Sequence, residues 1–495
     1  MSAAIGAPCD PAGQGCSPGT APDPGAAPDP DRPGRAARSW REVAWTRALL
    51  AVDDERSAAE YRRNASRWSA EPETVPLAGT LFSVKDVYAV AGAQSAGGSL
   101  LLRGFVPRTD AEVVRRLRRA GATFYAKGNC AEFGFGTDTH SRLGGRVLHP
   151  FDPDLSPGGS SGGDAVAVAT GVVDFAVAGD YGGSVRWPAQ AVGVCGLRTS
   201  VGLLPRTGRI PGVAARPDDP AGLPAPWTLQ SRLEVVGLLA RTPGALRRVL
   251  RAAAGPDGRD WSGPAAPAPA GPPRRRVLVT DAPEIAPVRP EVSAALRRAV
   301  QALRDDGYRE VGAEGLFADA FPIYRTLREG LDDHADVRAL AAGREELLCE
   351  ETRRVLAAVR PAGPGRALRA AWRGALEVSA RVRAALDGSE AEAVLLPVAL
   401  CAATGFGETV TVAGGRLAGA DLMAHCRAVS LTGLPALSVP VGTDGRGRAL
   451  SVQIVGRPGA DEAVCDLAEA LGRALALPWA AAGAGPSPSP CPSPF

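Results

Sequence analysis

Two glycine–serine clusters hold the residues whose types and spacing could do chemistry. The stretch from Ser156 to Arg186 reads SPGGSSGGDAVAVATGVVDFAVAGDYGGSVR. It contains Gly158-Gly159-Ser160-Ser161-Gly162-Gly163 and Gly182-Gly183-Ser184, with a mostly apolar run from Ala165 to Ala178 between them. Glycine has no Cβ, so backbone amides can approach a ligand closely. Serines beside such glycines are candidate nucleophiles, or their loops can cradle phosphate. A phosphate loop needs Gly-Lys-Ser/Thr after its glycines, and neither cluster has it. A Gly-x-Ser-x-Gly elbow is formally matched at Gly159–Gly163, but the elbow belongs at a strand end. Leu155-Ser156-Pro157 is a poor strand end, because proline cannot donate to a sheet ladder.

A serine hydroxyl is a weak nucleophile until a neighbouring base takes its proton. The chain has four histidines, none in a telling context, and only two lysines, Lys85 and Lys127. Arginine supplies every other cation in a total of 56, which matches a GC-rich codon bias. Against that bias a retained lysine points to an amine that must lose its proton, which arginine cannot do.

These residues need elements to place them. Gly79–Val84 reads as a buried strand that delivers Lys85 and Asp86 to its end. Asp110 is the expected N-cap of a helix over Ala111–Ala120, and Gly121 its stop. Ala122–Ala126 is a strand ending at Lys127, Gly163–Thr170 a helix, Val172–Ala178 a strand, and Pro188 the start of a short helix. Earlier, one amphipathic helix is expected from Trp40 to about Arg63. Later come helices over Pro243–Ala254, Pro290–Asp306, Phe321–Ala342, Glu345–Val359 and Ala367–Leu386. Strands follow at Ala393–Pro397, Ala436–Val441 and Leu450–Val455, before a closing helix Asp461–Leu475. The alternation implies an α/β fold with a largely buried sheet.

Composition excludes several function classes. A net charge of +3, from 56 basic and 53 acidic residues, argues against a nucleic-acid binder or a membrane-surface protein. No stretch has 18 uninterrupted apolar residues, so no membrane span is expected. Residues 1–38 and 481–495 read as disordered tails rich in Pro, Gly, Ala and Ser, without a secretory signal pattern. Nine scattered cysteines suit free thiols in a reducing, cytoplasmic compartment. The histidines and cysteines lack metal-ligand spacing, and neither a metal nor a cofactor is expected.

Taken together, the clusters resemble the amidase signature family. The family's core pairs a GGSSGG loop with a GTDxGGSxRxPA segment, and this chain has GGSSGGDAVAVATG and AGDYGGSVRWPAQ. Val84-Lys85-Asp86 matches the family's V-K-D context, and Lys127-Gly-Asn-Cys-Ala-Glu-Phe-Gly134 resembles its K-T-N-x-x-E-F-G segment. Leu431–Pro440 and Val452–Pro458 resemble its closing strands. The likeness runs from about Pro76 to Leu475 and is weak through 205–390. It implies an amidase signature domain over 39–480, a single large domain with a mixed twisted sheet covered by helices on both faces. The catalytic core would span 76–211, and segments 205–275 and 315–390 would determine substrate.

The resemblance also implies a mechanism. Ser184 would attack an amide carbonyl, Ser160, after a cis peptide bond, would relay the proton, and Lys85 would be the terminal base. The amides of Tyr181, Gly182, Gly183 and Ser184 would form the oxyanion hole, and Gly134 would face the acyl group. Burial would favour the neutral lysine this requires. Cys130 is a candidate for shaping the acyl pocket, although a simple buried thiol is the plainer reading. Ser161 would donate a supporting hydrogen bond, Asp180 and Arg186 would form a structural ion pair, and Trp187 would pack under the loop. Two positions depart from the pattern: Gly179 stands where a Thr is usual, and Tyr181 where Ile or Thr is common.

The expected activity is hydrolysis of a small-molecule amide without a cofactor, nucleic acid or membrane, by a stand-alone chain or a homodimer. The alternative is the A subunit of a glutamine-dependent tRNA amidotransferase. That reading lacks support in 320–390, where no Asn-Leu-x-Arg-Tyr-Asp-Gly segment occurs.

Overall fold

A computed structural model describes residues 27–212, 221–222, 228–260, 274–331, 334–358 and 365–478. Its centre is an 11-stranded mixed sheet. In chain order the strands are β1 (Leu49–Val52), β2 (Leu81–Lys85), β3 (Thr123–Gly128), β4 (Phe175–Asp180), β5 (Cys195–Arg198) and β6 (Val235–Ala240). Then come β7 (Arg276–Val279), β8 (Arg309–Gly312), β9 (Ala393–Pro397), β10 (Ala436–Thr443) and β11 (Ala449–Gly456). Their spatial order is β1-β3-β2-β4-β6-β5-β10-β11-β9-β7-β8.

The inner strands are buried at every residue, because helices cover both faces. Phe82 on β2 stacks on Phe175 of β4, with ring centroids 5.2 Å apart, and meets Phe124 of β3 edge-on at 6.0 Å. Aromatic pairs of this kind lock cross-strand register. Here the register is parallel, Phe82 with Phe175 and Val84 with Val177. The same parallel sense pairs Lys85 with Gly128 of β3. Lys85, the segment after β3 and the segment after β4 therefore leave one edge of the sheet together. That carboxyl edge is where open α/β sheets place their ligands.

Several boundaries differ from expectation. The single helix over Trp40–Arg63 is two helices, Arg32–Val43 and Asp54–Ala70, with β1 between them. Asp53 caps the second by accepting from the Arg56 amide, and β1 covers the edge of β3. The first helix also shortens the expected tail of residues 1–38: Arg32 pairs with Asp174 at 3.1 Å. Residues 1–26 and the tail 481–495 lie outside the described residues, as do 261–273 of the low-complexity linker.

Asp110 does not cap the helix that follows it. Ala111 holds the N-cap position, and the helix is Glu112–Arg119. The Asp110 carboxylate instead accepts from the Ala91 amide at 2.8 Å and from Arg118 at 2.9 Å. The expected helix Phe321–Ala342 is broken into Ala320–Gly330 and Ala335–Ala341. The remaining expected helices and strands are present with ends moved by a few residues. The exception is Glu345–Val359, which begins with a 3-10 turn and is helical over Glu350–Ala358, residue 359 lying outside the described residues. Thr242 accepts from the Ala245 amide as the N-cap of Pro243–Ala253. Among the described residues, no helix is long and apolar enough to cross a membrane.

Candidate active site

Lys85 ends β2 and is buried. Its Nζ donates to Ser160 Oγ at 2.6 Å. Burial lowers the amine's pKa from its ordinary 10.5, against the opposing fields of Cys130, Asp164 and Glu234. Asp164 is only partly ionised near neutral pH, since burial raises its own pKa to about 7 despite a 2.7 Å hydrogen bond from Ser83. Asp86 follows Lys85 but is turned away from it. It accepts from the amides of Ala96 and Gly98 and faces Lys127 at 3.8 Å. Lys127 in turn donates to the carbonyls of Lys85 and Tyr88, tying the strand end in place.

Ser160 follows a cis peptide bond from Gly159. Its loop is held from several sides. The Ala131 amide donates to the Ser160 carbonyl at 3.2 Å, and the Gly163 amide to the Asn129 carbonyl at 3.1 Å. Thr139 Oγ1 donates to the Gly158 carbonyl and accepts from the Gly162 amide. A Cβ at Gly159 would sit 2.7 Å from the Asp138 backbone, so a larger residue does not fit. The loop then opens the helix Gly162–Ala169, which returns the chain to β4.

Beyond β4, Asp180 anchors the second cluster. It accepts from the Gly183 amide at 2.9 Å and from Arg186 at 2.9 and 3.0 Å, with Arg198 at 3.5 Å. Burial opposes its ionisation, but the two arginines and the amide outweigh that and hold its pKa below the usual range. Arg186 also donates to Gln453 and Ser430, and Trp187 donates to the Thr137 carbonyl at 3.0 Å. Asp180 and Arg186 thus form a buried ion pair behind the loop.

The two clusters meet at one cavity of about 210 Å³. Lys85, Ser160, Ser184, Gly134, Tyr181 and Gly182 all line it. Gly134 closes against the lysine and serine: a Cβ there would lie 3.6 Å from Ser160 Oγ and 4.0 Å from Lys85 Nζ. A neutral amine hydrogen-bonded to a hydroxyl can drain a proton from a neighbouring serine, and backbone amides beside that serine can receive an oxyanion.

Two candidates sit differently from expectation, and a third, Cys130, takes the plainer of its two readings, a buried thiol, and not the role in substrate binding. Gly183 is not among the lining residues, and its amide is committed to Asp180. Ser161 Oγ is buried and, among the described residues, has no hydrogen-bond partner. Cys130 is fully buried behind the wall, near Gly98, and burial raises its thiol pKa. Its Sγ is placed as a packed thiol rather than as a surface facing ligand.

The cavity also holds residues that sequence reasoning missed. Arg209, Gln230 and Glu234 line one end, and Glu234 accepts from Arg209 at 2.8 Å and from Gln230 at 2.7 Å. Tyr324, Arg328 and Glu351 also line the cavity. All six fall within the segments 205–275 and 315–390, yet nothing in helical periodicity distinguishes them from surface residues. Met423 and Arg427 line it too, from a region with no expected substrate role. Their signal is spatial: Gly182 packs against Arg427, and Gly183 against Met423.

This fold and site define an α/β protein with a buried serine–lysine pair beside a second, glycine-flanked serine. The chain belongs to the Amidase family, whose model matches residues 37–465. Among curated relatives, the A subunit of the glutamyl-tRNA(Gln) amidotransferase of Methanospirillum hungatei is 38% identical over 185 residues, 37% of this chain and 39% of that protein. Its counterpart in a Roseiflexus species is 34% identical over 268 residues, 53% of this chain and 51% of that one. The matches thus span about half, or less, of those relatives.

Solved structures match over nearly the whole length. A 6-aminohexanoate cyclic dimer hydrolase superposes with a TM-score of 0.76 at 22% identity, covering 92% of this chain and 95% of that one. The peptide amidase of Stenotrophomonas maltophilia gives 0.71 at 24% identity, covering 90% and 93%. The corresponding glutamyl-tRNA(Gln) amidotransferase chain of Thermotoga maritima gives 0.67 at 22% identity, covering 90% and 91%. These likenesses establish the fold.

Proposed function

We propose that this amidase-family enzyme hydrolyses the C–N bond of an amide through an acyl-enzyme on Ser184. Ser184 Oγ attacks the carbonyl, Ser160 passes the proton on, and Lys85 receives it. The amides of Tyr181, Gly182 and Ser184 hold the developing oxyanion. Ser160 and Lys85 return the proton to the departing nitrogen, and water then hydrolyses the ester. The observation that carries this reading is the buried 2.6 Å hydrogen bond from Lys85 to Ser160, in a cavity shared with Ser184. Its test is labelling with a serine-reactive fluorophosphonate, followed by mass spectrometry of the acyl-enzyme trapped from an amide library. Label and acyl group should sit on Ser184. Labelling that persists in Ser184→Ala would sink the assignment.

Two physiological settings use this chemistry. The amidotransferase relatives favour a role as the amide-hydrolysing subunit of a glutamine-dependent amidotransferase, with a partner protein and tRNA. The absence of an Asn-Leu-x-Arg-Tyr-Asp-Gly segment from 320–390 favours a free-standing hydrolase of small amides, alone or as a homodimer. Copurification of a second protein with glutamine-dependent tRNA amidation decides for the first. Turnover of small amides by the purified chain alone decides for the second. The buried free cysteines, Cys195 and Cys465 among them, support a reducing cytoplasmic setting.

A further inference from the structure

Most buried cations of this protein are matched to an acid: Arg186 and Arg198 to Asp180, Arg206 to Asp260, Arg209 to Glu234. Two half-buried arginines of the cavity have no such match. Arg328, on the helix Ala320–Gly330, and Arg427, on the helix Ala424–Leu431, both line it. Among the described residues, neither has a carboxylate partner. Each lies over a tyrosine instead: Arg328 is 5.7 Å from the Tyr181 ring centre and Arg427 5.4 Å from that of Tyr324. A ring attracts a cation but cancels none of its charge. Arg427 Nε is buried and donates to nothing among the described residues, which leaves an orphan donor beside the cavity.

The acids of the cavity do not supply the missing charge. Glu234 is committed to Arg209 and Gln230. Glu351 is raised to about 7, first by burial and then by Asp138, so it is largely protonated below neutral pH. Lys85 is biased toward its neutral form by burial. The uncompensated charge of the cavity is therefore positive, and it lies close to the reacting groups. A Cβ at Gly182 would come 2.7 Å from the Tyr324 hydroxyl and 3.3 Å from Arg427 Cγ. A concave site of one sign concentrates ligands of the other. Guanidinium forks match a carboxylate in both shape and charge.

We infer that Arg328 and Arg427 form an anion subsite, and that the substrate is an amide carrying a carboxylate within a short chain of the scissile bond. This rests on the amidase reading for the reacting groups, but its test does not require turnover. The probes are glutaramate and glutaramide, which share a chain and an amide and differ in carboxylate against carboxamide. They are titrated calorimetrically into full-length Ser184→Ala at pH 6.5 and low salt.

Glutaramate should bind at least about tenfold more tightly, an advantage that shrinks as salt is raised. Arg328→Gln and Arg427→Gln should each cut the preference to about threefold or less. Arg325→Gln, at an exposed arginine paired with Glu329, should leave it intact. If Arg427→Gln fails to fold, Arg328→Gln carries the comparison. Equal binding of the two probes, binding of neither, or a preference unchanged in the arginine variants overturns the inference. Hydrolysis that survives Ser184→Ala, with the preference retained, would instead count against the Ser184 chemistry.

Discussion

Lys85 and Ser160 sit on different elements, one at a strand end and one after a cis peptide, yet join through a buried 2.6 Å hydrogen bond. No carboxylate is hydrogen-bonded to the amine: Asp86 is turned to Lys127 and to amides, and Asp164, raised to about 7, is only partly ionised near neutral pH. A base so placed must be neutral before it can accept a proton. Lys85→Arg is therefore expected to be as damaging as Lys85→Ala. Ser184→Ala should lower kcat by at least about 10⁴-fold, the scale seen when a serine nucleophile is removed. Steady-state hydrolysis of an amide identified from the library measures all three, and an active arginine variant contradicts the assignment of the base.

The lysine should also leave a mark on stability. Its folded pKa lies below the unfolded value of about 10.5. The unfolded chain therefore binds a proton more readily, and stability rises with pH up to about 10.5. Lys85→Met removes this term. The variant should melt higher than the parent near pH 7, and the gap should narrow as pH climbs toward 10. Thermal melts at pH 7, 8.5 and 9.5 give the comparison, and a gap that widens with pH reverses the sign.

Asp180 ties the second cluster to the sheet through Gly183, Arg186 and Arg198. Removing one partner of a buried charge cluster costs about 3–5 kcal/mol, because the remaining charges stay desolvated. Asp180→Asn should lower stability by that order in urea denaturation. Fluorophosphonate labelling of Ser184 should slow as well, since the loop loses its anchor. Labelling at the parent rate would show that the loop holds its shape without the carboxylate.

Gly179 stands beside Tyr88 at the cavity wall. A Cβ there would come 3.1 Å from the Tyr88 hydroxyl, which is buried and, among the described residues, unbonded. Gly179→Ala should cost about 1–3 kcal/mol through overpacking. Tyr88→Phe alone should be neutral or stabilising by about 1 kcal/mol, because it removes an unsatisfied hydroxyl. The double variant should recover most of the loss. Additive effects in a double-mutant cycle would show that the two positions are not in contact.

The amino-acid sequence by itself determined the family, the α/β alternation and the positions of Lys85, Ser160 and Ser184. Those signals are local: glycines that let backbone approach, a strand ending on one of only two lysines, and an apolar run between two loops. Tertiary structure decided what each neighbour does. The amide of Gly183 went to Asp180, Ser161 was left without a partner among the described residues, and Cys130 came to lie behind the wall. Asp110 reads as a cap in sequence, but its carboxylate found Ala91 and Arg118 instead. A side chain's partner depends on which distant elements pack beside it, and chain-local patterns do not encode that. The same reason hid Arg328 and Arg427. Each is one arginine among many until two helices from separate parts of the chain bring both to the cavity of Ser184.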